Sequence, residues 1–114
     1  MFTDEQVARI AHEANRTYQV AIGEAQPDPH WEDYSTDGRA LAMQGIVTAR
    51  AGATAEQQHG QWLSDKANAG WVYGSVKDVT AKTHPCIVPY GDLSEQERIK
   101  DVLYGAVVRA LSKV

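Results

Sequence analysis

Residues 70–90 read GWVYGSVKDVTAKTHPCIVPY and carry the densest set of structural signals in this chain. Two short apolar runs, residues 71–73 and 86–88, enclose a polar segment. Glycines flank the first run and prolines flank the second, which is the punctuation expected of two short extended segments around a loop. Pro85 and Pro89 also favour extended backbone at the residues before them, because the proline ring crowds the helical conformation. We therefore predict a stiff, two-stranded insert arranged like a hairpin.

Four helices are predicted around this insert. Thr3 with Gln6 and Thr54 with Gln57 fit the capping box, in which two side chains satisfy the free backbone amides of a helix start. The predicted helices cover residues 4–22, 37–51 and 55–68, and a fourth begins after Ser94. On the third helix, one inner face is shared by His59, Trp62, Leu63 and Lys66. The fourth has the most regular apolar stripe, formed by Ile99, Val102, Leu103, Ala106, Val107, Ala110 and Leu111.

These elements predict an α+β fold that is mainly α. It has about four helices and a short two-stranded extended insert between the third and fourth. We find no repeated segment, linker or low-complexity stretch in the sequence, so we expect one domain that spans residues 1–114.

Composition and charge limit the classes of partner. The chain has 114 residues, of which 43% are hydrophobic and 23% charged, as in ordinary globular domains. Its net charge of −4 argues against binding of double-stranded nucleic acid, which requires a basic face. A single cysteine excludes an internal disulfide and is typical of a reducing compartment. No apolar run reaches the roughly 20 residues that span a bilayer, and the N-terminus lacks signal-peptide features. We therefore expect a cytoplasmic protein without a membrane partner.

The central stretch resembles the ryanodine-receptor repeat, or RyR domain. The resemblance lies in GWVYG (70–74), KD (77–78) and KTHPCIVPYGDLSEQE (82–97), and it continues upstream in IAHEANRTY (10–18) and HGQWLSDKANAG (59–70). It implies a RyR-type fold. Stand-alone members of that family resemble parts of bacterial and phage conflict systems, in which NAD-derived or cyclic nucleotide signals circulate. The resemblance therefore implies a phage or prophage origin and action in a bacterial host cell. Because the repeats occur in pairs in the receptor, it also implies by analogy a homodimer.

Metal-dependent and covalent chemistry are not favoured by the sequence. The residues able to ligate a metal are His12, His59, His84 and Cys86, but none of their spacings forms a recognised pair such as C-x-x-C or H-x-x-x-H. Cys86 lies in an apolar run, where a buried neutral thiol is expected. The motifs G-x-S-x-G and H-E-x-x-H and a phosphate-cradling glycine loop are missing. We predict no metal site, no cofactor and no catalytic residue, and we keep a nucleotide hydrolase as an alternative.

The insert has the residue types of a small-ligand pocket. Trp71 and Tyr73 alternate with Val72, so both rings are expected on one side of an extended strand. A nucleotide-like anion needs a flat ring for its base, cations for its phosphate, and a carboxylate or amide for its hydroxyls. The predicted ligand-binding residues are Trp71, Tyr73, Lys77, Asp78, Lys82, His84 and Tyr90, with His12, Asn15 and Trp31 contributing from the other side. Trp31 itself is expected to be partly buried.

Two other interpretations stay open. In the first, the aromatic residues of the insert belong to the core, the charged residues form a solvated turn, and His84 caps a backbone group. In the second, the aromatic loop is a docking face for a protein, or the chain is a homodimeric structural domain without a small-molecule ligand. Binding of a small anionic ligand without chemistry is the function that we predict.

Overall fold

The computed structural model describes residues 1–113. It contains four α-helices, which are α1 (Asp4–Ala21), α2 (Thr36–Arg50), α3 (Ala55–Asn68) and α4 (Glu95–Leu111). Two two-residue strands, β1 (Val72–Tyr73) and β2 (Thr83–His84), lie between α3 and α4. Short 3₁₀ turns at Trp31–Asp33 and Tyr90–Asp92 precede α2 and α4. The predicted α+β, mainly α architecture is confirmed.

The helix boundaries follow from local capping. The Thr3 hydroxyl accepts the backbone N–H of Gln6, whose side chain accepts the N–H of Thr3 in return. The same reciprocal pair joins Thr54 and Gln57 at the start of α3. Each box satisfies two backbone amides that a helix start otherwise leaves free, so it fixes the first residue of its helix.

The insert is parallel, and the predicted hairpin is wrong. Val72 lies opposite Thr83 and Tyr73 opposite His84, with both strands running in the same direction. The second strand also lies earlier than residues 86–88. The backbone N–H of Cys86 donates to the Nδ1 atom of the His84 ring at 3.0 Å, so the chain turns there.

The core lies where α1, α2 and α4 meet. Its buried side chains are Val7, Ala8, Ala11, Trp31, Ile46, Ala49 and Val108. The predicted apolar stripe of α4 is partly wrong, because Ile99 and Val102 are 41% and 53% exposed while Val108 is fully buried. α4 packs against the three other helices, and Gly105 allows it to approach Gln58 of α3 closely. Packing on several sides, rather than one apolar stripe, therefore sets the orientation of α4.

The same set of elements occurs twice along the chain. His12, buried on α1, donates from Nε2 to the carbonyl oxygen of Pro29 at 2.7 Å, just before the first 3₁₀ turn. His59, buried on α3, donates from Nε2 to the carbonyl oxygen of Val88 at 2.7 Å, just before the second. A serine N-cap then opens the next helix in each half. This repetition is one of elements and contacts, and it is compatible with the absence of a repeated segment in the sequence.

Within residues 1–113, no helix is both long enough and apolar enough to span a bilayer.

Candidate functional site

A cavity of about 590 Å³ lies between the four helices and the insert. This volume falls within the range of small-molecule sites in proteins. Side chains from α1, α2, α3, α4 and the insert all line it. The site is therefore a property of the whole fold and not of the insert alone.

A row of rings runs along the cavity from α3 to the insert. The rings of His59 and Trp62 are stacked, with centroids 5.6 Å apart and an interplanar angle of 21°. Trp62 meets His84 edge-on at 5.1 Å, and His84 lies 6.3 Å from Trp71. All four rings line the cavity, which gives it a continuous aromatic surface.

Lys66 is the cation at the insert end of this row. Its Nζ atom lies 4.1 Å from the ring centre of Trp71 and 5.7 Å from that of Trp62, so the ammonium group makes cation–π contacts with both. Within residues 1–113, this ammonium group contacts the two rings and forms no hydrogen bond or ion pair. Burial lowers the pKa of Lys66, and the nearby charge of Asp28 opposes that shift. The group is thus a half-buried ammonium whose hydrogen-bond donors are unused.

Two other lysines that line the cavity are neutralised by carboxylates. Lys77 lies 2.8 Å from Asp28, and Lys100 lies 2.8 Å from Glu24 and 2.6 Å from Glu97. Burial favours a higher pKa for Asp28, but the charge and hydrogen bond of Lys77 outweigh it, and the net pKa of Asp28 is lowered. These pairs therefore fix the wall of the cavity and contribute little free positive charge.

Lys82 extends from the insert toward the end of α3. Its ammonium group donates to the carbonyl oxygen of Ala69 at 2.8 Å, so one of its three hydrogen-bond donors is used. Its backbone has a φ of 57°, a left-handed conformation that is uncommon outside glycine. This conformation lets the chain reverse just before β2.

His84 and Cys86 are both held in their neutral forms. Burial and the charges of Lys77, Lys100 and Lys66 lower the pKa of His84 to about 4. Because its Nδ1 atom accepts the N–H of Cys86, the neutral ring carries its proton on Nε2. Burial and a hydrogen bond from the thiol to Glu97, at 3.1 Å, raise the pKa of Cys86 to about 12. The thiol is thus unreactive as a nucleophile.

His59 and Asp101 form the other end of the cavity. His59 is 4% exposed, and because its Nε2–H is used by Val88, its Nδ1 atom is the remaining polar atom of the ring. That atom lies 4.0 Å from a carboxylate oxygen of Asp101, too far for a hydrogen bond. Burial raises the pKa of Asp101 to about 6, although the neighbouring His59 and Lys100 oppose the shift. On α1, the Oδ1 atom of Asn15 is buried and has no hydrogen-bond partner among the described residues.

The structure brings together six of the ten predicted site residues. Those that line the cavity are Trp71, Lys77, Lys82, His84, His12 and Asn15. Those that lie outside its lining are Tyr73, Asp78, Tyr90 and Trp31.

Local contacts explain the four residues outside. Tyr73 is 58% exposed, and the Asp78 carboxylate accepts the N–H groups of Thr80 and Ala81 within a turn. Tyr90 packs against His59 at a centroid distance of 6.0 Å. Trp31 is 4% exposed and meets His12 edge-on in the core, so it is more buried than the partial burial that we predicted.

The prediction that the rings of Trp71 and Tyr73 lie on the same side of one strand is also wrong. The N–H of Trp71 donates to the carbonyl oxygen of Lys66 at 2.9 Å, so Trp71 belongs to the capped end of α3 and not to the strand. Alternation along an extended strand therefore begins only after it.

Sequence reasoning missed the residues of the cavity that α3 and α4 supply. Trp62 and Lys66 were assigned to the inner face of α3 but not to the site, and Asp101 was not singled out. The spacing of His59, Trp62 and Lys66 by three and then four residues places them on one strip of a helix, which was the available signal. Within residues 1–113, the His, Cys, Asp and Glu side chains form no group of three or more that could hold a metal ion.

One comparison bears on this geometry. A family model described as the RyR domain matches residues 35–108, well over half of the chain. The match includes α2, α3, the insert and most of α4, which together supply the aromatic row, Lys66 and Asp101.

Proposed function

This chain belongs to the RyR domain family, and on that premise we propose that it binds a small anionic ligand of the nucleotide type without chemical conversion. The observation that carries the proposal is the ammonium group of Lys66. It lies over two indole rings that line a cavity of about 590 Å³, and it has no hydrogen-bond acceptor within residues 1–113.

The energetics of Lys66 favour an anion at this position. A partly buried ammonium loses hydration, and cation–π contacts with two rings return only part of that free energy. A phosphate oxygen within reach would supply the missing charge-assisted hydrogen bonds. The proposal therefore assigns Lys66 as the principal anion contact, with Lys82 as a second cation nearby.

The aromatic row favours a ligand with a flat ring. The Lys66 ammonium lies over the rings of both Trp62 and Trp71, so a ring packed against either indole comes close to the cation. Stacking of a base on an aromatic side chain contributes about 1–3 kcal/mol. A base and a phosphate in one molecule would use both features.

The charge distribution favours a small ligand over a polyanion. Carboxylates outnumber lysines in the lining of the cavity, and Lys77 and Lys100 are already paired. The unneutralised positive charge is therefore confined to the region of Lys66 and Lys82. A nucleic-acid backbone would need an extended basic surface.

A role without catalysis is supported by the state of the candidate nucleophile and base. Cys86 is a neutral thiol that donates a hydrogen bond to Glu97, and the Nδ1 atom of His84 already accepts a backbone N–H. Within the RyR family context, capture of an NAD-derived or cyclic nucleotide signal in conflict between phages and bacteria is the biological setting that we propose.

Protein docking is the second candidate, and one observation favours it. Val72, Tyr73, Val76 and Val79 of the insert are between 58% and 65% exposed, which is unusual for four neighbouring apolar side chains. In that case the insert would bind another protein, or a second copy of this chain, and the cavity would have no ligand.

Isothermal titration calorimetry against AMP, ADP-ribose, cyclic ADP-ribose and NAD separates the two candidates. Saturable binding that is lost in Trp71→Ala and Lys82→Ala, while the exposed control Lys113→Ala binds normally, supports the pocket. Absence of binding up to millimolar ligand, in a protein whose thermal unfolding is cooperative, contradicts it and favours docking. Formation of a hydrolysis product during overnight incubation would contradict the non-enzymatic assignment.

A further inference from the structure

At the end of the cavity away from Lys66, two hydrogen-bond acceptors face each other, and no donor from residues 1–113 is hydrogen-bonded to either of them. The Nδ1 atom of His59 and the nearer oxygen of Asp101 are 4.0 Å apart, and neither makes a hydrogen bond to the other. Both residues line the cavity. We infer that this pair of acceptors recognises the hydroxyl groups of a ribose on the bound ligand, an inference that rests on the proposed function.

The tautomer of the neutral His59 ring follows from its contacts. Its Nε2 atom lies 2.7 Å from the carbonyl oxygen of Val88, and since a carbonyl can only accept, Nε2 carries the proton. In the neutral ring, Nδ1 then presents a lone pair. The hydrogen bond to Val88 and the stacking on Trp62 hold the ring of His59 in one orientation, so the direction of this lone pair is fixed.

Asp101 supplies the second acceptor. Its side chain is 29% exposed, and no lysine or arginine lies within 4.0 Å of its carboxylate in residues 1–113. The two lysine–carboxylate clusters of the cavity use Asp28, Glu24 and Glu97 instead. Asp101 is thus the carboxylate in this part of the cavity whose acceptor capacity is free.

Two facing acceptors select a ligand group that donates twice. A vicinal diol has two O–H groups that can each donate to a different acceptor, and a carboxylate is a common partner for ribose hydroxyls in nucleotide sites. A phosphate or carboxylate would be repelled there, because it brings further negative charge and no donor. The ring of Trp62 joins this end to the Lys66 end, since it contacts both His59 and the Lys66 ammonium. The cavity is therefore polarised, with the ribose at the α4 side and the anion near the insert.

Calorimetric titration with 5′-AMP and with its 2′,3′-dideoxy analogue tests this assignment. The expected result is that the wild type binds AMP at least about tenfold more tightly, since a hydrogen bond to a charged group is worth about 1.5–3 kcal/mol. In Asp101→Leu, which keeps roughly the side-chain size but removes the carboxylate, the difference between the two ligands should shrink, because only the Nδ1 atom of His59 remains as an acceptor. His59→Gln, which can still donate to Val88 but lacks Nδ1, should reduce the difference, and Glu95→Gln on the exposed face of α4 should leave it unchanged.

The outcomes separate the two proposals. Equal affinity of the wild type for AMP and for the dideoxy analogue overturns the ribose assignment and leaves the anion site in place. A difference between the ligands that persists fully in Asp101→Leu also overturns it. Failure of both ligands to bind overturns the proposed function together with this inference. Because the first comparison uses the wild type, it does not depend on the stability of any variant.

Discussion

The Nζ atom of Lys66 lies 4.1 Å above the ring of Trp71, and the backbone N–H of Trp71 donates to the carbonyl oxygen of Lys66 at 2.9 Å. Lys66 and Trp71 are thus in contact through both their backbones and their side chains. The hydrogen bond closes the last turn of α3 and directs the Trp71 ring back over the side chain of the preceding turn. The position of the cation therefore depends on how α3 ends, and only indirectly on the strands that follow.

Gly70 makes this helix ending possible, and its replacement should weaken the fold. Its φ of 88° lies in the left-handed region, which costs about 1–2 kcal/mol for a residue with a Cβ atom. We expect Gly70→Ala to lower the free energy of unfolding by about 1 kcal/mol or more. Urea unfolding followed by circular dichroism measures it.

Gly60→Ala is the matched control for that variant. Gly60 lies within α3, and a Cβ atom there would meet nothing within 4 Å. Alanine should therefore stabilise the helix by up to about 1 kcal/mol. If Gly70→Ala were as stable as the wild type, the end of α3 would not require a residue in the left-handed conformation.

Cys86 should react slowly with thiol reagents in the folded protein. Its pKa is raised to about 12 by burial and by Glu97, so little thiolate exists at mildly alkaline pH. We expect labelling by Ellman's reagent to be much slower in the native state than in urea. Glu97→Gln, which removes the charge of the acceptor, should speed the native reaction, whereas Glu95→Gln should not. Native labelling as fast as in urea would show an activated or freely exposed thiol.

Acidification should destabilise the protein through His84. Its pKa in the folded state is about 4, below its ordinary value of 6.5, so the unfolded chain binds the proton more readily between these values. Stability is therefore lost as the pH falls from 6.5 toward 4. His84→Asn keeps an acceptor for the N–H of Cys86 but does not titrate, and its stability should fall less over this interval.

Asp101 acts with the opposite sign and must be separated from this effect. Its pKa is raised from 3.8 to about 6, so its protonation favours the folded state and adds stability as the pH falls through that range. The difference between wild type and His84→Asn in urea unfolding at several pH values cancels this contribution. Parallel curves for the two proteins would contradict the lowered pKa of His84.

The sequence was most informative where structure is local. Capping boxes at Thr3 and Thr54 and the serine before α4 fixed three helix starts to within a residue, because each depends on contacts within one turn. The residue motifs of the central stretch also identified the family correctly.

Features set by distant contacts could not be obtained in this way. The parallel pairing of the insert depends on the connection between its strands, which includes the Asp78–Thr83 bridge and the left-handed Lys82, and no strand pattern encodes it. The cavity is lined by side chains of α3, the insert and α4, which are distant in the sequence. Lys66 is a candidate anion contact because no acceptor within residues 1–113 pairs with its ammonium group, and the sequence does not reveal that. Conversely, Lys77 has the residue type of an anion contact but is neutralised by Asp28, which is 49 residues away in the sequence.

The most direct measurement is the affinity of AMP for wild type and for Lys66→Met, determined by calorimetry on proteins of verified thermal stability. Methionine retains the length and apolar contacts of the side chain against Trp62 and Trp71 and removes only the ammonium group. We expect a loss of at least about tenfold in affinity, corresponding to a charge-assisted hydrogen bond, with no loss of stability. Unchanged affinity in Lys66→Met, or no binding of AMP by the wild type, would contradict the assignment of this cavity as an anion-binding site.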